Sequence, residues 1–467
     1  MVASLMIVPL LISIVTIDES QIRNFLVALV LTTFISGAMY LSGRSARHVA
    51  AREIELLLIM LLFFTLLPVV AAVPFYAAGQ IDNFAAAYFE AVSAITTSGG
   101  TIITQPQLET APIIAWRAIL AWLGGLWTII FGVAVLAPFT VGGLQLFGSP
   151  LLQYDQNDSL SMRLGQPLRR ILPIYATLTL ISIGALIISG LPFFDAFCFA
   201  LSAISTTGFV THSDGVAGFA QMGGGGISLS VLMVTCLVGA LGAPHLVMLS
   251  QRKFFALARQ VEIRTFIIIL VMFIVASYVF IANNSLWLVI TQSISLATTA
   301  GFIILPDEGL AAWPIIWVLL PPLIGGMAIS TAGGIKVVRI VVLSKAISRE
   351  LTKLAYPSSI HPMTLQDHPL REKNLSAVWA FFAIFLLCVS VGLLALSWLG
   401  LDMPQAWAVT LGAVSNSLAS SGGWAGFIGF GAMDTSLQLI IALLMIAGRL
   451  EFLVLMVIFT PSFWRSI

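Results

Sequence analysis

Four short clusters of hydroxyl residues and glycine interrupt the long apolar runs of this chain at intervals of about a hundred residues. They are Thr96-Thr97-Ser98-Gly99-Gly100, Ser205-Thr206-Thr207-Gly208-Phe209, Thr298-Thr299-Ala300-Gly301-Phe302 and Ser420-Ser421-Gly422-Gly423-Trp424. Such clusters are poor helix formers, because glycine favours open backbone conformations and Ser and Thr side chains compete for backbone hydrogen bonds. Irregular backbone at membrane depth is tolerated only where protein buries it or where it lines a water-filled cavity. The recurrence therefore predicts a repeat architecture whose four clusters meet on one axis.

The composition places most of the chain in a lipid bilayer. Of its 467 residues, 59% are hydrophobic and 9% are charged, whereas about a quarter of a soluble domain is charged. The net charge of +1 gives no indication of a nucleic-acid partner. The sequence has no Gly-x-Gly-x-x-Gly fingerprint and no His, Cys or acidic residues at metal or catalytic spacing, so we expect neither an enzyme nor an organic cofactor. We expect membrane lipid to surround most of the protein.

The apolar runs recur in a fixed order after a leading pair at residues 3–16 and 24–42. Each unit has a long helix, a short apolar segment, a cluster and a return helix. A helix needs about 20 apolar residues to cross a bilayer, so the short segments cannot span it. The long helices are predicted at 54–76, 170–190, 263–283 and 375–399, the short segments at 83–95, 193–204, 286–297 and 403–419, and the return helices at 112–138, 226–249, 313–343 and 436–460.

The predicted fold is an all-α polytopic membrane protein with four tandem helix–pore-loop–helix repeats around a single pore, preceded by an extra N-terminal helix pair. The predicted boundaries are 1–45 for the N-terminal hairpin, 46–150 for repeat 1, 151–252 for repeat 2, 253–350 for repeat 3 with an intramembrane gating loop, and 351–467 for repeat 4.

The basic residues predict which side of the membrane the clusters face. Lys and Arg are absent from 53–116, 171–251, 266–335 and 374–448, the four stretches that hold the clusters. The alternate connections are basic; they contain Arg163, Arg169, Arg170, Arg252, Lys253, Arg259, Arg264, Lys345, Arg349, Lys353, Arg371 and Lys373. Because cytoplasmic loops carry an excess of Lys and Arg, the clusters are expected to open to the outside.

The clusters have the chemistry of a cation site. A short helix aimed inward points the negative end of its dipole at the centre, and a ring of backbone carbonyls replaces the water shell of a permeating cation. A single cluster of this kind is more typical of a turn or a helix cap, but four after four short segments favour a pore. The predicted cation ligands are Thr96, Thr97, Ser98, Gly99, Ser205, Thr206, Thr207, Gly208, Thr298, Thr299, Ala300, Gly301, Ser420, Ser421 and Gly422.

A second glycine-rich stretch interrupts the third return helix. Its glycines are Gly325, Gly326, Gly333 and Gly334, and Lys336 and Arg339 follow them. Close helix packing through small residues is the alternative to a break. Arg339 is expected to extend to the cytoplasmic interface, and Lys336 to hold the stretch through carboxylates or carbonyls. Arg449 lies in an apolar run, where a charge is costly unless it faces a cavity or a partner.

Longer motifs add a resemblance to a known family. They are Trp122-Leu123-Gly124-Gly125, residues 141–146 (VGGLQL), Gly325-Gly326, residues 330–339 (STAGGIKVVR), Gly448-Arg449-Leu450-Glu451-Phe452 and residues 459–464 (FTPSFW). The chain resembles the TrkH/KtrB superfamily of potassium uptake proteins, and within it TrkH, over nearly its whole length. The resemblance implies a homodimer with one pore per chain, K+ as the transported ion, and a filter glycine in each loop.

Carried over by motif, the filter glycines are Gly99, Gly208, Gly301 and Gly422, with Ala419 as an alternative to Gly422. The resemblance further implies that Gly325 to Gly334 forms a gate with Lys336 and Arg449. It also implies that a cytoplasmic TrkA-type ring supplies nucleotide regulation and that the protein lies in the bacterial inner membrane. Two other functions remain open: an ion-coupled (H+ or Na+) potassium symporter, and a pore permeable to both sodium and potassium.

Overall fold

Helices account for nearly all of the described chain. The computed structural model describes residues 2–42, 53–79, 81, 83–136, 160–220, 223–280, 285–304, 313–356, 364–365, 368–369, 372–423, 427 and 429–451. The helices are α1 Val2–Leu5, α2 Ile7–Val15, α3 Glu19–Ser42, α4 Glu53–Ala77, α5 Phe84–Ile95, α6 Ala111–Phe131, α7 Leu160–Ile188, α8 Phe193–Ile204, α9 Gly225–Gly239, α10 Ala243–Ser250, α11 Phe254–Ala258, α12 Val261–Phe280, α13 Leu286–Ala297, α14 Ile315–Ile324, α15 Val337–Ala355, α16 Glu372–Trp398, α17 Met403–Val414 and α18 Thr435–Arg449. A π turn, Gly132–Leu136, extends α6, and Thr364–Leu365 pairs antiparallel with His368–Pro369.

Six of the described helices are long and apolar enough to cross a membrane. These spans are Glu19–Ser42, Ile54–Ala77, Ala111–Val135, Met162–Ile188, Val261–Phe280 and Leu375–Trp398. Their outer faces carry exposed apolar side chains, of which Ile188 and Trp398 are both 89% exposed. Large exposed apolar area is unfavourable in water but not in lipid. The prediction of an all-α polytopic membrane protein is therefore confirmed.

The leading pair α2 and α3 packs onto the rest of the molecule. Phe25 is fully buried and meets the indole of Trp116 edge-on, with ring centroids 6.3 Å apart. Asn24 Nδ2 donates to the carbonyl oxygen of Ala77, 3.0 Å away, at the end of α4. A polar side chain in this position satisfies a helix-terminal carbonyl that has no partner within its own helix. The N-terminal hairpin is thus docked on α4 and α6.

Four helices of twelve residues, α5, α8, α13 and α17, each lie between a long helix and a return helix. At 1.5 Å per residue they extend about 18 Å, too short to cross the bilayer. Three of them end at the predicted residues, Ile95, Ile204 and Ala297. The fourth was predicted to reach Ala419 but ends at Val414, so the turn that follows it begins earlier than expected.

Two return helices are broken. The break between α14 and α15 was predicted, and we call residues 325–336 the inner-helix break. The second return helix was predicted to be continuous over 226–249, but α9 and α10 meet at an angle of 117°. Gly242 precedes α10, and Pro244 lies in its first turn. Proline has no N–H to continue the preceding helix, so the bend falls where the sequence removes a hydrogen bond.

Small residues let three return helices touch the ends of the short helices. A Cβ atom added to Gly124 would lie 1.9 Å from the carbonyl oxygen of Ile95, one on Gly239 would lie 2.5 Å from that of Ile204, and one on Gly448 would lie 2.3 Å from that of Val414. Any larger residue would push the helices apart. The motifs at 141–146 and 459–464 lie outside the described residues.

Candidate ion-binding turns

The same backbone turn follows each short helix. In each, the C-cap residue is followed by a residue in the left-handed region: Thr97 (φ 55°), Thr206 (53°), Thr299 (58°) and Asn416 (50°). Left-handed backbone is uncommon for residues other than glycine and signals a constrained site. We name these segments turn 1 (96–99), turn 2 (205–208), turn 3 (298–301) and turn 4 (415–419).

The hydroxyl groups of the turns are paired locally. The C-cap hydroxyls of Thr96 and Thr298 donate to the carbonyl oxygens four residues earlier, at 2.7 and 2.8 Å. In three turns this hydroxyl also contacts that of the residue two positions on; the pairs are Thr96 and Ser98 (2.8 Å), Ser205 and Thr207 (2.8 Å), and Ser415 and Ser417 (2.9 Å). Turn 3 has Ala300 at that position. These contacts fix the local shape of the turns.

Turns 1, 2 and 3 meet through their glycines. A Cβ atom on Gly99 would lie 1.9 Å from the carbonyl oxygen of Thr207, and one on Gly208 would lie 2.1 Å from that of Ala300. Both contacts are shorter than any side chain tolerates. Gly99, Gly208 and Gly301 also have φ values of 77°, 85° and 73°, a conformation that glycine adopts without strain. The three predicted filter glycines are thus brought together.

Turn 4 closes the ring in a different way. The N–H of Ala419 donates to the carbonyl oxygen of Ser98, 3.1 Å away. A Cβ on Gly99, Gly208 or Gly301 would lie 2.7–2.8 Å from the methyl carbon of Ala419. The methyl group therefore lies among the three glycines. A carbonyl oxygen has two lone pairs, so Ser98 keeps one for another ligand.

The predicted fourth cluster does not hold the equivalent position. Ser420, Ser421 and Gly422 lie in a 3-10 helix, Leu418–Gly423, after the turn. The hydroxyls of Ser420 and Ser421 donate at 2.6 Å to the carbonyl oxygens three residues before them. The backbone equivalent of turns 1 to 3 is Ser415-Asn416-Ser417, and the alternative alignment through Ala419 matches the ring.

The inner-helix break lies directly against three turns. The Thr331 hydroxyl lies 3.2 Å from that of Thr206 in turn 2 and donates to the carbonyl oxygen of Gly239 at 2.8 Å. The N–H of Gly333 donates to the Thr299 hydroxyl of turn 3 at 2.9 Å, and the N–H of Gly334 donates to the carbonyl oxygen of Ser415 in turn 4 at 3.1 Å. The break is thus hydrogen-bonded to the turns and is not a region of plain helix packing.

Turn 1 is joined to the same break by an arginine. Arg449 is 4% exposed, and its Nη2 donates to the Thr97 hydroxyl at 2.6 Å and to the carbonyl oxygen of Thr331 at 2.7 Å. The prediction that Arg449 faces a partner is confirmed. Each left-handed threonine of the turns is therefore hydrogen-bonded to Arg449 or to the break. In turn 4, Asn416 Nδ2 donates to the Ser98 hydroxyl and to the carbonyl oxygen of Met445, both at 2.9 Å.

The end of the break that leads into α15 is held by buried charges. Lys336 Nζ donates to the carbonyl oxygen of Ala332, as predicted. Arg339 was predicted to extend to the interface, but it is 3% exposed, pairs with Glu451, and lies with Cζ 3.9 Å from the ring centroid of Phe381. The snorkelling prediction is therefore wrong for Arg339. Arg339 stays buried because it pairs with a carboxylate on another segment, a partner that sequence spacing does not reveal.

A cavity of about 560 Å³ opens on the other side of the turns. Gly99, Gly208, Gly301 and Ala419 all line it, so the ring lies between this cavity and the inner-helix break. Within the described part of the chain, no group of three His, Cys, Asp or Glu side chains is placed to hold a metal ion. The polar groups that the turns present at the ring are backbone carbonyls and hydroxyls.

Sequence reasoning missed two charged residues beside the ring. Glu90 is fully buried in α5, and Arg117 of α6 is 1% exposed, with Nη1 3.6 Å from a Glu90 carboxylate oxygen. Arg117 Nη2 also donates to the carbonyl oxygen of Val210 at 2.6 Å. The one signal in the sequence is that each of these charges stands alone in an apolar helix.

Comparison with known proteins identifies close counterparts over the full length. Residues 21–466 match the TrkH family, described as cation transport proteins. The Trk system potassium uptake protein TrkH of Salmonella typhimurium is 32% identical over 88% of this chain and 86% of its own. That of Halomonas elongata is 30% identical over 99% and 96%. The crystal structure of the potassium transporter TrkH from Vibrio parahaemolyticus superposes with a TM-score of 0.86 at 26% identity, covering 99% of this chain and 96% of that one.

Proposed function

The chain belongs to the TrkH family of cation transport proteins, and we propose that it takes up potassium through the ring formed by its four turns. Potassium is the ion in the names of the relatives from Salmonella typhimurium and Halomonas elongata. Those names describe transport proteins, so the chain is a transporter and not an enzyme. It is embedded in a membrane through at least six apolar helices.

The mutual contact of the turns is the observation that carries this proposal. The carbonyl oxygens of Ser98, Thr207 and Ala300 each lie against a neighbouring turn. Carbonyl oxygens that converge in this way replace the hydration shell of a monovalent cation. The short helices end at the ring, so the negative ends of their dipoles add to the attraction. In this proposal, K+ is bound by these carbonyls and by turn hydroxyls.

The inner-helix break is the gate in this proposal. Thr331, Gly333, Gly334 and Arg449 are hydrogen-bonded to the turns. In this proposal, residues Gly325 to Gly334, with Lys336 and Arg449, stand between the ring and the cytoplasm. Arg449 places a positive charge beside the ion path, and a like charge opposes the entry of a cation. Opening requires the break to release Thr206, Thr299 and Ser415, with which it shares hydrogen bonds.

The charge pattern and the relatives support a membrane location, an orientation and a set of partner proteins for this chain. The protein lies in the bacterial inner membrane with the turns facing outside, because the connections on the opposite side carry most of the Lys and Arg. The 1–45 hairpin is followed by four repeats that each supply one quadrant of the pore; they are 46–150, 151–252, 253–350 and 351–467.

The chain forms a homodimer with one pore per chain. The "Trk system" in the relatives' names supports a partner, proposed as a cytoplasmic TrkA-type ring that binds nucleotide.

Turn 4 favours a second candidate, a pore that passes sodium as well as potassium. Ala419 contributes an N–H to Ser98 and a methyl group to the centre, where the other turns contribute glycines. A ring with one different quadrant offers a less uniform set of carbonyls. Selectivity depends on the number of coordinating carbonyls and on the space between them.

Growth rescue tests the proposed function. The full chain is expressed in a bacterium that lacks its own potassium uptake systems, with and without the cytoplasmic partner, at low external potassium. We expect growth to be restored with the partner. Absence of growth with a chain that is folded and present in the membrane would contradict potassium uptake. Growth restored only in the presence of a sodium or proton gradient would identify coupled symport.

A further inference from the structure

Two equivalent side chains support the irregular segments that follow turns 1 and 3, residues 100–103 and 302–304, which we call the outer strands. Glu90 is the seventh residue of α5, and Gln292 is the seventh residue of α13. Each accepts a hydrogen bond from a backbone N–H twelve residues later: Ile102 donates to Glu90 Oε2 at 2.9 Å, and Ile304 donates to Gln292 Oε1 at 2.8 Å. Ile102 and Ile304 lie three residues after Gly99 and Gly301. The same hydrogen bond from a backbone N–H to a short-helix side chain therefore occurs twice, at equivalent positions.

Each of the two side chains makes a second bond to its strand. The Thr101 hydroxyl donates to Glu90 Oε1 at 2.7 Å. Gln292 Nε2 donates to the carbonyl oxygen of Phe302 at 3.2 Å. Glu90 and Gln292 are 0% and 1% exposed. A buried polar group that loses its hydrogen-bond partner is destabilised by its full desolvation free energy, so these bonds hold the strands strongly.

Turns 2 and 4 are supported in another way. The seventh residues of α8 and α17 are Phe199 and Val409, which have no side-chain atoms that form hydrogen bonds. Phe199 packs edge-on against Phe219, with ring centroids 4.9 Å apart. Dispersion contacts of this kind have less directional preference than hydrogen bonds. At the seventh residue of the short helix, the four quadrants thus divide into two with a hydrogen-bonding side chain and two with an apolar one.

We propose that Glu90 and Gln292 are positioning residues for ion selection, holding the carbonyls of turns 1 and 3 at fixed positions from behind the ring. The inference rests on the proposed function. A strand whose N–H is bound from behind cannot rotate toward the ion without breaking that bond. The Ser98 and Ala300 carbonyls therefore keep the spacing that suits one ion size. Arg117 extends the support of quadrant 1 to quadrant 2, because it contacts both Thr101 and Val210.

The test compares ion selection among matched variants in proteoliposomes. The purified full-length protein is reconstituted, and initial K+ and Na+ uptake are measured per amount of protein. Gln292→Leu removes both hydrogen bonds without adding or removing a charge. We expect the K+ to Na+ uptake ratio to fall about twofold at the least, since the net contribution of each hydrogen bond corresponds to about two- to tenfold. If Gln292→Leu does not fold, Gln292→Asn, whose side chain is one methylene shorter, takes its place under the same prediction.

Two further variants separate positioning from general packing. Glu90→Gln keeps an oxygen acceptor for Ile102, as Gln292 does for Ile304, but it removes the charge that faces Arg117. We therefore expect lower stability and less total uptake, with a K+ to Na+ ratio within about twofold of the original. Phe199→Leu alters packing at the equivalent residue of α8, where hydrogen bonds are not involved, and is also expected to keep the ratio. A merely structural role would lower both ion fluxes together and leave the ratio unchanged.

The outcomes for the two proposals are distinct. An unaltered protein that carries no K+ contradicts potassium uptake itself. An unaltered protein that carries K+ while Gln292→Leu or Gln292→Asn keeps its ratio overturns the positioning role and leaves the proposed function intact. A ratio that falls equally in Phe199→Leu would also overturn it, because selection would then depend on packing rather than on the two hydrogen-bonded side chains.

Discussion

Arg449 and Thr97 are hydrogen-bonded across 352 residues of sequence, with Nη2 2.6 Å from the threonine hydroxyl. The same nitrogen donates to the carbonyl oxygen of Thr331 in the inner-helix break. One guanidinium therefore connects turn 1 to the break and places a positive charge beside the ring. Because Arg449 is 4% exposed, this charge is screened little by water. The contact links the segment that would bind the ion to the segment that would admit it.

Replacing this arginine should raise ion flux. A unit charge several ångström from a passing cation adds a barrier of about 2 kcal/mol at an effective dielectric constant of about 20. We expect Arg449→Ala to increase potassium influx into proteoliposomes about tenfold or more, since about 1.4 kcal/mol corresponds to tenfold in rate. Arg449→Lys keeps the charge and should stay near the original flux. Equal influx in all three proteins would remove this role from Arg449.

A methyl group at a ring glycine should abolish transport. The Cβ of Gly208→Ala would lie 2.1 Å from the carbonyl oxygen of Ala300, so the turn cannot keep its place. The matched control is Gly184→Ala, where a Cβ meets nothing within 4 Å and where alanine favours the helix by about 1 kcal/mol. We expect loss of rubidium uptake in the first variant only. Uptake by Gly208→Ala at the control's level would mean that the turns do not line the path.

The hydroxyl of Thr331 should hold the break closed. Thr331→Val keeps the shape and removes bonds to Thr206, Gly239 and Ile204. We expect greater flux in the absence of the partner and a loss of about 1–3 kcal/mol in stability. Thr33→Val serves as the control because the Thr33 hydroxyl bonds only to its own helix at an exposed site. Leak flux through Thr331→Val no higher than through the control would argue against a gate at this position.

The ion pair of Arg339 and Glu451 should stabilise the end of the break that leads into α15. Its side chains are 4% and 16% exposed, and removal of one partner leaves a buried charge that costs about 3–5 kcal/mol. We expect Glu451→Ala to lower the thermal unfolding midpoint in detergent. The double variant Arg339→Met with Glu451→Leu should recover much of the loss, since apolar pairs of similar volume replace buried ion pairs well. Strictly additive losses would contradict direct coupling.

Much of the fold follows from apolar run length and from the recurring clusters. The ends of α5, α8 and α13 were predicted to the residue, because Thr96, Ser205 and Thr298 begin hydroxyl clusters that end in glycine. The position of turn 4 was not predicted, because its left-handed residue is Asn416, which tolerates this backbone conformation as glycine does. The glycine-rich stretch after it forms a 3-10 helix instead.

The polar partners of the site were harder to predict than its backbone. Glu90 meets Ile102 across an irregular strand, and Arg339 meets Glu451 across 112 residues. Helical periodicity reveals neighbours three or four residues apart, so neither pairing has a sequence signal. The bend between α9 and α10 was also missed, although Gly242 and Pro244 mark it. Tertiary contacts, rather than local preference, decide these features.

Anomalous diffraction from crystals grown in rubidium tests the central claim most directly. Rubidium stands in for potassium, and its scattering locates it without reference to the protein. We predict a peak on the axis between the carbonyl oxygens of Ser98, Thr207 and Ala300, absent from crystals of Gly208→Ala. A ring without a rubidium peak in the unaltered protein, or rubidium bound only at sites away from the four turns, would contradict the account.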